Sequence, residues 1–356
     1  MLALIPAAGL FAIGLYLQPL YGDLTRIGSY AEKDFGWNKP QLEFRKPLFD
    51  LGRYDQYRDV VVLGDSFSTT WPNHQWQNHL VMTTGWSVTT LDFSKIKIEQ
   101  VLGNSVFRVS PPKYLILEWV ERSVPRRIKK YAHPCTASIS TARKQAASNG
   151  PNGIKVFWPE ENKGVALYVK RKFDWRDIKL KWVLRYLWHN TLRITMGAAH
   201  TDTLNINLSR QAPFSSIKRQ SLLVYKTDLS KVTEWRQTSL EEMGCGIENL
   251  RKQVEANGYT KFILMVAPDK LTAYRDFVRD NELRGISELS PLSELHPGLM
   301  PRLDLALIAA IRQGEQDIYL PDDTHWGSSG HQIAAETLIT FLKSPLSVNL
   351  ATPVSP

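Results

Sequence analysis

Val60-Val61-Val62-Leu63-Gly64-Asp65-Ser66-Phe67-Ser68 is the stretch on which the reading of this chain turns. Its first residues are apolar and mostly β-branched, the mark of a buried strand, and the run stops at a glycine, an acid and a serine. Such a strand can deliver one hydroxyl to the edge of a parallel sheet. Gly64 permits the tight turn, and the following helix aims its first N–H groups at whatever Ser66 attacks. A free serine is a weak nucleophile, so it needs a base, and the base needs an acid to orient it. Both stand near the other end, in Leu320-Pro321-Asp322-Asp323-Thr324-His325-Trp326. Alone, each motif has a plainer explanation, since Asp and Ser cap helices and a Trp-flanked histidine can simply pack. Together, each after an apolar strand, they favour a nucleophile and its base.

Composition bounds the rest. A chain of 356 residues can bury one large core or two modest ones, and 43% hydrophobic with 22% charged residues is ordinary for a folded protein. The net charge of +9 is not ordinary. It suggests an anionic neighbour, a membrane surface or an acidic polysaccharide, with nucleic acid last because no nucleic-acid motif accompanies the charge. Cys135 and Cys245 are the only cysteines. They cannot build a structural zinc site, and they are either one disulfide in an oxidising compartment or two buried thiols.

Leu2 to Tyr21 is an almost continuous apolar run without a charge, and at about 1.5 Å per residue it matches the thickness of a bilayer. It is expected to be a membrane anchor over 1–21, with a cleaved signal peptide and a buried core helix as the alternatives. Residues 22–57 then form an ordered connector whose aromatics pack onto the main domain. An α/β domain occupies 58–132 and 236–343, with strands at Val60–Leu63, Ser87–Phe93, Tyr114–Trp119, Lys261–Ala267 and Ile318–Leu320. Helices are expected around Trp76–Thr84, Ile98–Val101, Leu240–Asn257, Pro301–Arg312 and Gly330–Leu342. Residues 133–235 interrupt this rhythm as an insertion or cap, opening with a surface loop from Cys135 to Gly153. Within it, Val169 to Met196 interleaves Lys170, Arg171, Lys172, Arg176, Lys179, Lys181, Arg185 and Arg193 with Trp175, Trp182, Tyr186 and Trp188. That pattern can lie on anionic lipid or grip an acidic glycan, or it is an amphipathic helix with a solvated cationic face. Ser344 to Pro356 is a tail.

Gly64-Asp65-Ser66 followed by Asp322 or Asp323 and His325 resembles the SGNH (GDSL-type) hydrolase superfamily. Asp323-Thr324-His325-Trp326 with Gly330 looks more particularly like the alginate O-acetyltransferase AlgX/AlgJ family. So do Gly64-Asp65-Ser66-Phe67-Ser68, Glu118-Trp119-Val120-Glu121-Arg122, and Pro268-Asp269-Lys270 with Tyr274. The motif blocks stand in circularly permuted order relative to that family, which need not disable a triad defined by geometry. The resemblance implies a three-layer, flavodoxin-like α/β fold with a mainly parallel sheet. It also implies O-acetylation of an exported bacterial polysaccharide at the periplasmic face of the inner membrane, without cofactor or metal. Ser66 would be the nucleophile, His325 the base and Asp323 the orienting acid, with Asp322 the competing orienter. Glu118, Arg122, Lys270, Tyr274 and Trp326 would bind substrate, although an Arg–Glu brace and a surface lysine fit the same residues. The acetyl donor would be a membrane-bound O-acyltransferase. A GDSL-type carbohydrate acetylesterase and a non-catalytic, membrane-tethered glycan-binding protein are the alternatives.

Overall fold

Five parallel strands carry the fold in a computed structural model that describes residues 4–18, 20–135, 164–197, 200–209, 213–284 and 289–344. In chain order the strands are β1 (Gln41–Phe44), β2 (Asp50–Leu51), β3 (Val60–Gly64), β4 (Val88–Asp92), β5 (Tyr114–Val120), β6 (Ala166–Val169), β7 (Thr203–Asn207), β8 (Ser221–Tyr225) and β9 (Lys261–Ala267). The central sheet runs β2-β4-β3-β5-β9. The chain therefore steps from β3 outward to β4, then returns to the other side of β3 to lay down β5 and β9. That reversal opens a crevice beyond the carboxyl end of β3, the place where ligands sit in open α/β sheets. Ser66 lies there.

Strand periodicity explains why both sheet faces are covered. Val60, Val62, Ile116, Ile263 and Met265 point into one core, closed by the helices Trp76–Thr84, Leu303–Arg312 and Ser328–Lys343. Their alternates Val61, Leu63, Leu115, Leu117, Phe262 and Leu264 point into a second core, closed by Ile98–Gly103, Leu240–Glu255 and Leu289–Leu295. Side chains enclosed on both faces are what a near-continuous apolar run supplies, and each such burial is worth about 1.5–3 kcal/mol. The result is the expected SGNH-like α/β layering.

The connector and the interrupting segment build onto this frame. β1 pairs antiparallel with β6, and β7 with β8. Each pair is a two-stranded ribbon separate from the central sheet. Phe35, Phe44, Phe49 and Tyr54 of the connector are buried. Cys135 and Cys245 are joined by a disulfide with Cα atoms 5.4 Å apart, tying residue 135 to the helix Leu240–Glu255. The surface loop expected over 136–153 and the tail over 345–356 lie outside the described residues.

One expectation is not shown and another is corrected. No helix among the described residues is long and apolar enough to cross a membrane. The apolar N-terminal helix runs Leu4–Leu17, 14 residues or about 21 Å, and Gln18 then turns to φ 58°. Instead of standing free, it packs Leu10, Ile13 and Leu17 against Val183 and Leu187 of the basic helix Leu180–Met196. Ile318–Leu320 is not a strand either. Only Tyr319 makes a bridge, to Trp326, and Asp317 ahead of it has φ 55°.

Candidate active site

At the end of β3 the chain turns sharply into the short helix Ser66–Thr69. Asp65 caps that helix through Phe67 N–H (3.2 Å) and holds the sheet through Val120 N–H (2.9 Å) and Arg127 (3.1 Å). Glu118, expected to touch substrate, is fully enclosed instead. Its carboxylate accepts from Asp65 N–H (3.0 Å) and Ser68 Oγ (2.8 Å), so it braces the serine turn from below. Burial and the nearby Asp65 charge raise its pKa well above the ordinary carboxyl range. Gly64 has no room for a side chain, because a Cβ there would meet Ser68 Cβ at 2.6 Å. Ser66 itself is half-buried, and among the described residues neither its Oγ nor its N–H makes a hydrogen bond.

The loop Leu320–Trp326 comes in over this turn. His325 lies against Phe67, the neighbour of Ser66, with ring centroids 5.0 Å apart. Of the two acids, Asp323 is the one bonded to the imidazole: its Oδ1 is 2.7 Å from Nδ1 and accepts His325 N–H at 3.0 Å. Burial works to raise the Asp323 pKa, but His325 and the Asp23 N–H overcome it and hold the pKa at about 2. An ionised carboxylate can only accept, so Nδ1 carries the proton and Nε2 presents its lone pair in the neutral ring. Nε2 is buried and makes no hydrogen bond. For His325, burial lowers the pKa, yet Asp323, with Asp23 and Asp65 farther off, brings it above its ordinary value.

Asp322 points the other way. Burial and the facing Glu32 push its pKa well above the ordinary carboxyl value, and its carboxyl makes no hydrogen bond to the ring among the described residues. The Asp322 backbone carbonyl accepts Leu24 N–H (3.0 Å) and Thr25 N–H (3.3 Å), and Asp323 Oδ2 accepts Asp23 N–H at 2.9 Å. A Cβ on Gly22 would fall 2.2 Å from that carbonyl oxygen, so glycine is what lets the connector dock there. The connector contribution was missed from sequence, because Gly22-Asp23 carries no motif. Asp23, Asp323 and His325 offer ligand atoms within 4.8 Å of one another. A metal ion there would have to displace the His325–Asp323 bond and the Asp23–Arg26 ion pair.

The other expected contacts divide by burial. Lys270 is enclosed, and its Nζ donates to the carbonyls of Leu320 (2.7 Å), Pro321 (3.0 Å) and Asp323 (2.9 Å). It clamps the loop that carries both acid and base. Burial lowers its pKa to about 7 against the pull of Asp322 and Asp323. Tyr274 and Trp326 are also enclosed: the Tyr274 hydroxyl accepts Tyr319 N–H at 3.3 Å, and Trp326 meets Phe67 edge-on with centroids 4.8 Å apart. His331 packs edge-on against Trp326, and burial lowers its pKa well below the ordinary value. Only Arg122 keeps some exposure. It pairs with Asp269 (2.6 Å) and lies over the ring of Tyr225. A buried ion cluster completes that corner, with Lys231 bonded to Asp269 (2.8 Å) and Glu121 (3.0 Å).

Residues 223–352 match the family described as the SGNH hydrolase-like domain of the acetyltransferase AlgX. Over that span the chain is similar to the family. The matched residues take in Lys270, Asp323 and His325, while the Ser66 block lies outside them. No curated protein and no solved structure matches the chain.

Proposed function

We propose that this protein is an O-acetyltransferase that acetylates hydroxyls of an exported bacterial polysaccharide through an acetyl-Ser66 intermediate. The observation that carries the reading is the 2.7 Å Asp323–His325 pair, which leaves a bare, buried Nε2 beside the helix that begins at Ser66. Ser66 Oγ attacks the donor carbonyl while His325 Nε2 takes its proton. The tetrahedral oxyanion meets the free Ser66 N–H, and His325 passes the proton to the departing group. A sugar hydroxyl then gives its proton to His325 and attacks the acetyl carbonyl, and Ser66 Oγ leaves with the proton returned. The Ser66–His325 hydrogen bond is not formed in this structure, and such bonds commonly tighten only around substrate.

The disulfide fits an oxidising, extracytoplasmic compartment. Exposed Phe11, Leu15, Leu184, Trp188 and Ile194, flanked by Lys181 and Arg185, fit a protein held at the anionic surface of the inner membrane by its N-terminal segment. With no acetyl-coenzyme pool on that side, the donor is a membrane-bound O-acyltransferase that hands acetyl across the bilayer.

The test is acetyl release and transfer from a chromogenic acetyl ester, with and without saccharide acceptor. Ser66→Ala is expected to abolish both while leaving the melting temperature unchanged. Retained activity would overturn the triad. Ester cleavage indifferent to every acceptor would instead identify a carbohydrate acetylesterase using the same acyl-enzyme.

A further inference from the structure

Trp71 is the residue the chemistry above does not use. It follows the Ser66 helix, its side chain is 45% exposed, and its ring meets the His325 imidazole edge-on with centroids 5.8 Å apart. Its backbone sits at φ 50°, ψ 69°, the left-handed region that a bulky L-residue rarely adopts. A glycine or asparagine would occupy that position with less strain.

The turn around it is held from both sides. Thr70 N–H donates to Ser66 O at 3.1 Å and His74 N–H to Trp71 O at 2.9 Å. The Gln75 side chain donates to Thr70 O, Asn78 Nδ2 to Pro72 O at 2.7 Å, and His74 Nδ1 lies 2.9 Å from Leu42 O. A conformation that costs energy and is this fully braced belongs to the kind found where a ligand is clamped. The strain is not balanced by burial, because nearly half of this large ring faces solvent, where an indole does nothing for folding.

We propose that Trp71 is the acceptor platform: its exposed indole face stacks on the C–H face of a pyranose ring and sets the next hydroxyl against His325. A sugar ring has an apolar face of axial C–H groups and a polar rim. A rigid aromatic beside the base can bind the first while leaving the second free to react. Residence at the platform orients the acceptor alcohol, whereas the acetyl group passed to Ser66 has no ring to place there. Trp71 is therefore a positioning residue for the second half-reaction alone. The inference rests on the glycan-acceptor reading above.

Full-length protein carrying Trp71→Gly, Trp71→Phe or no change is assayed with a chromogenic acetyl ester as donor. The acceptor is de-O-acetylated exopolysaccharide from the source cells, cut to short oligosaccharides. In Trp71→Gly, the acceptor KM is expected to rise about ten-fold or more, while acceptor-independent ester hydrolysis stays within about two-fold of the parent. Trp71→Phe, which keeps a ring, should recover part of the acceptor KM. The melting temperature of Trp71→Gly should equal or exceed that of the parent, because the substitution relieves the left-handed strain. An unchanged acceptor KM, or a fall in stability with equal loss of hydrolysis and transfer, would overturn the platform and make Trp71 a packing residue. If the parent protein cleaves the ester but acetylates no saccharide, the glycan reading itself fails and takes the platform with it.

Discussion

Two neighbouring carboxyl groups with the same chemistry have opposite environments here. Asp323 has its pKa held at about 2 by His325, whereas burial and Glu32 push that of Asp322 well above the ordinary carboxyl value. Asp323→Asn should lower kcat on the order of 10³- to 10⁴-fold, because the amide admits the wrong tautomer of the ring. Asp322→Asn should stay close to the parent, since the Asp322 side chain does not bond the imidazole; steady-state rates of the two variants test this. His325 sets the pH dependence. Its pKa lies above the ordinary value and it must be neutral to act, so kcat/KM should fall as pH drops through a limb above about 6.5. A pH–rate profile of Asp323→Asn should show that limb shifted down. The stability signs follow from the same shifts. The raised His325 adds stability that is complete below its unfolded pKa and is lost as pH rises through the folded one. Asp323 adds stability present above 3.8 and lost as pH falls toward about 2.

At the scale of the element, the loop Leu320–Trp326 has almost no regular structure, yet it carries both acid and base. One bridge, Tyr319 to Trp326, is its only ladder contact. Lys270 supplies what a strand would have supplied, three hydrogen bonds to carbonyls of the loop from the N-terminus of the helix Lys270–Tyr274. Lys270→Met should orphan the Pro321 and Asp323 carbonyls, Leu320 O keeping Asp323 N–H, at about 1–3 kcal/mol for each buried group left unsatisfied. We expect a lower melting temperature and a fall in kcat larger than any change in the donor KM, read by thermal denaturation and steady-state kinetics. The same placement explains why Lys270, Tyr274 and Trp326 resemble site residues in sequence. They stand close to the site in the fold, but they act on the loop from the protein side.

On the scale of the whole molecule, the disulfide closes a loop of 110 residues across the segment that interrupts the α/β pattern. Chain-entropy arguments put such a cross-link at about 4–5 kcal/mol, so Cys135→Ser with Cys245→Ser should unfold several degrees earlier. Activity at low temperature should persist, since neither cysteine touches the catalytic loop; differential scanning calorimetry and ester hydrolysis would check both. The sequence alone determined four of the five central strands and most of the helices that cover them, because an apolar run such as Val60–Leu63 can only be satisfied with both faces covered, and it marked Ser66 and His325 by residue type and position. Tertiary structure decided the rest. It chose Asp323 over Asp322, turned Glu118 and Lys270 inward, and brought Asp23 and Trp71 to the site from stretches with no motif. It also cut the apolar N-terminal run to a helix of 14 residues lying on a neighbour. The physical reason is that periodicity reports which face of an element is buried, whereas the partner of a polar group depends on which distant segment packs against it.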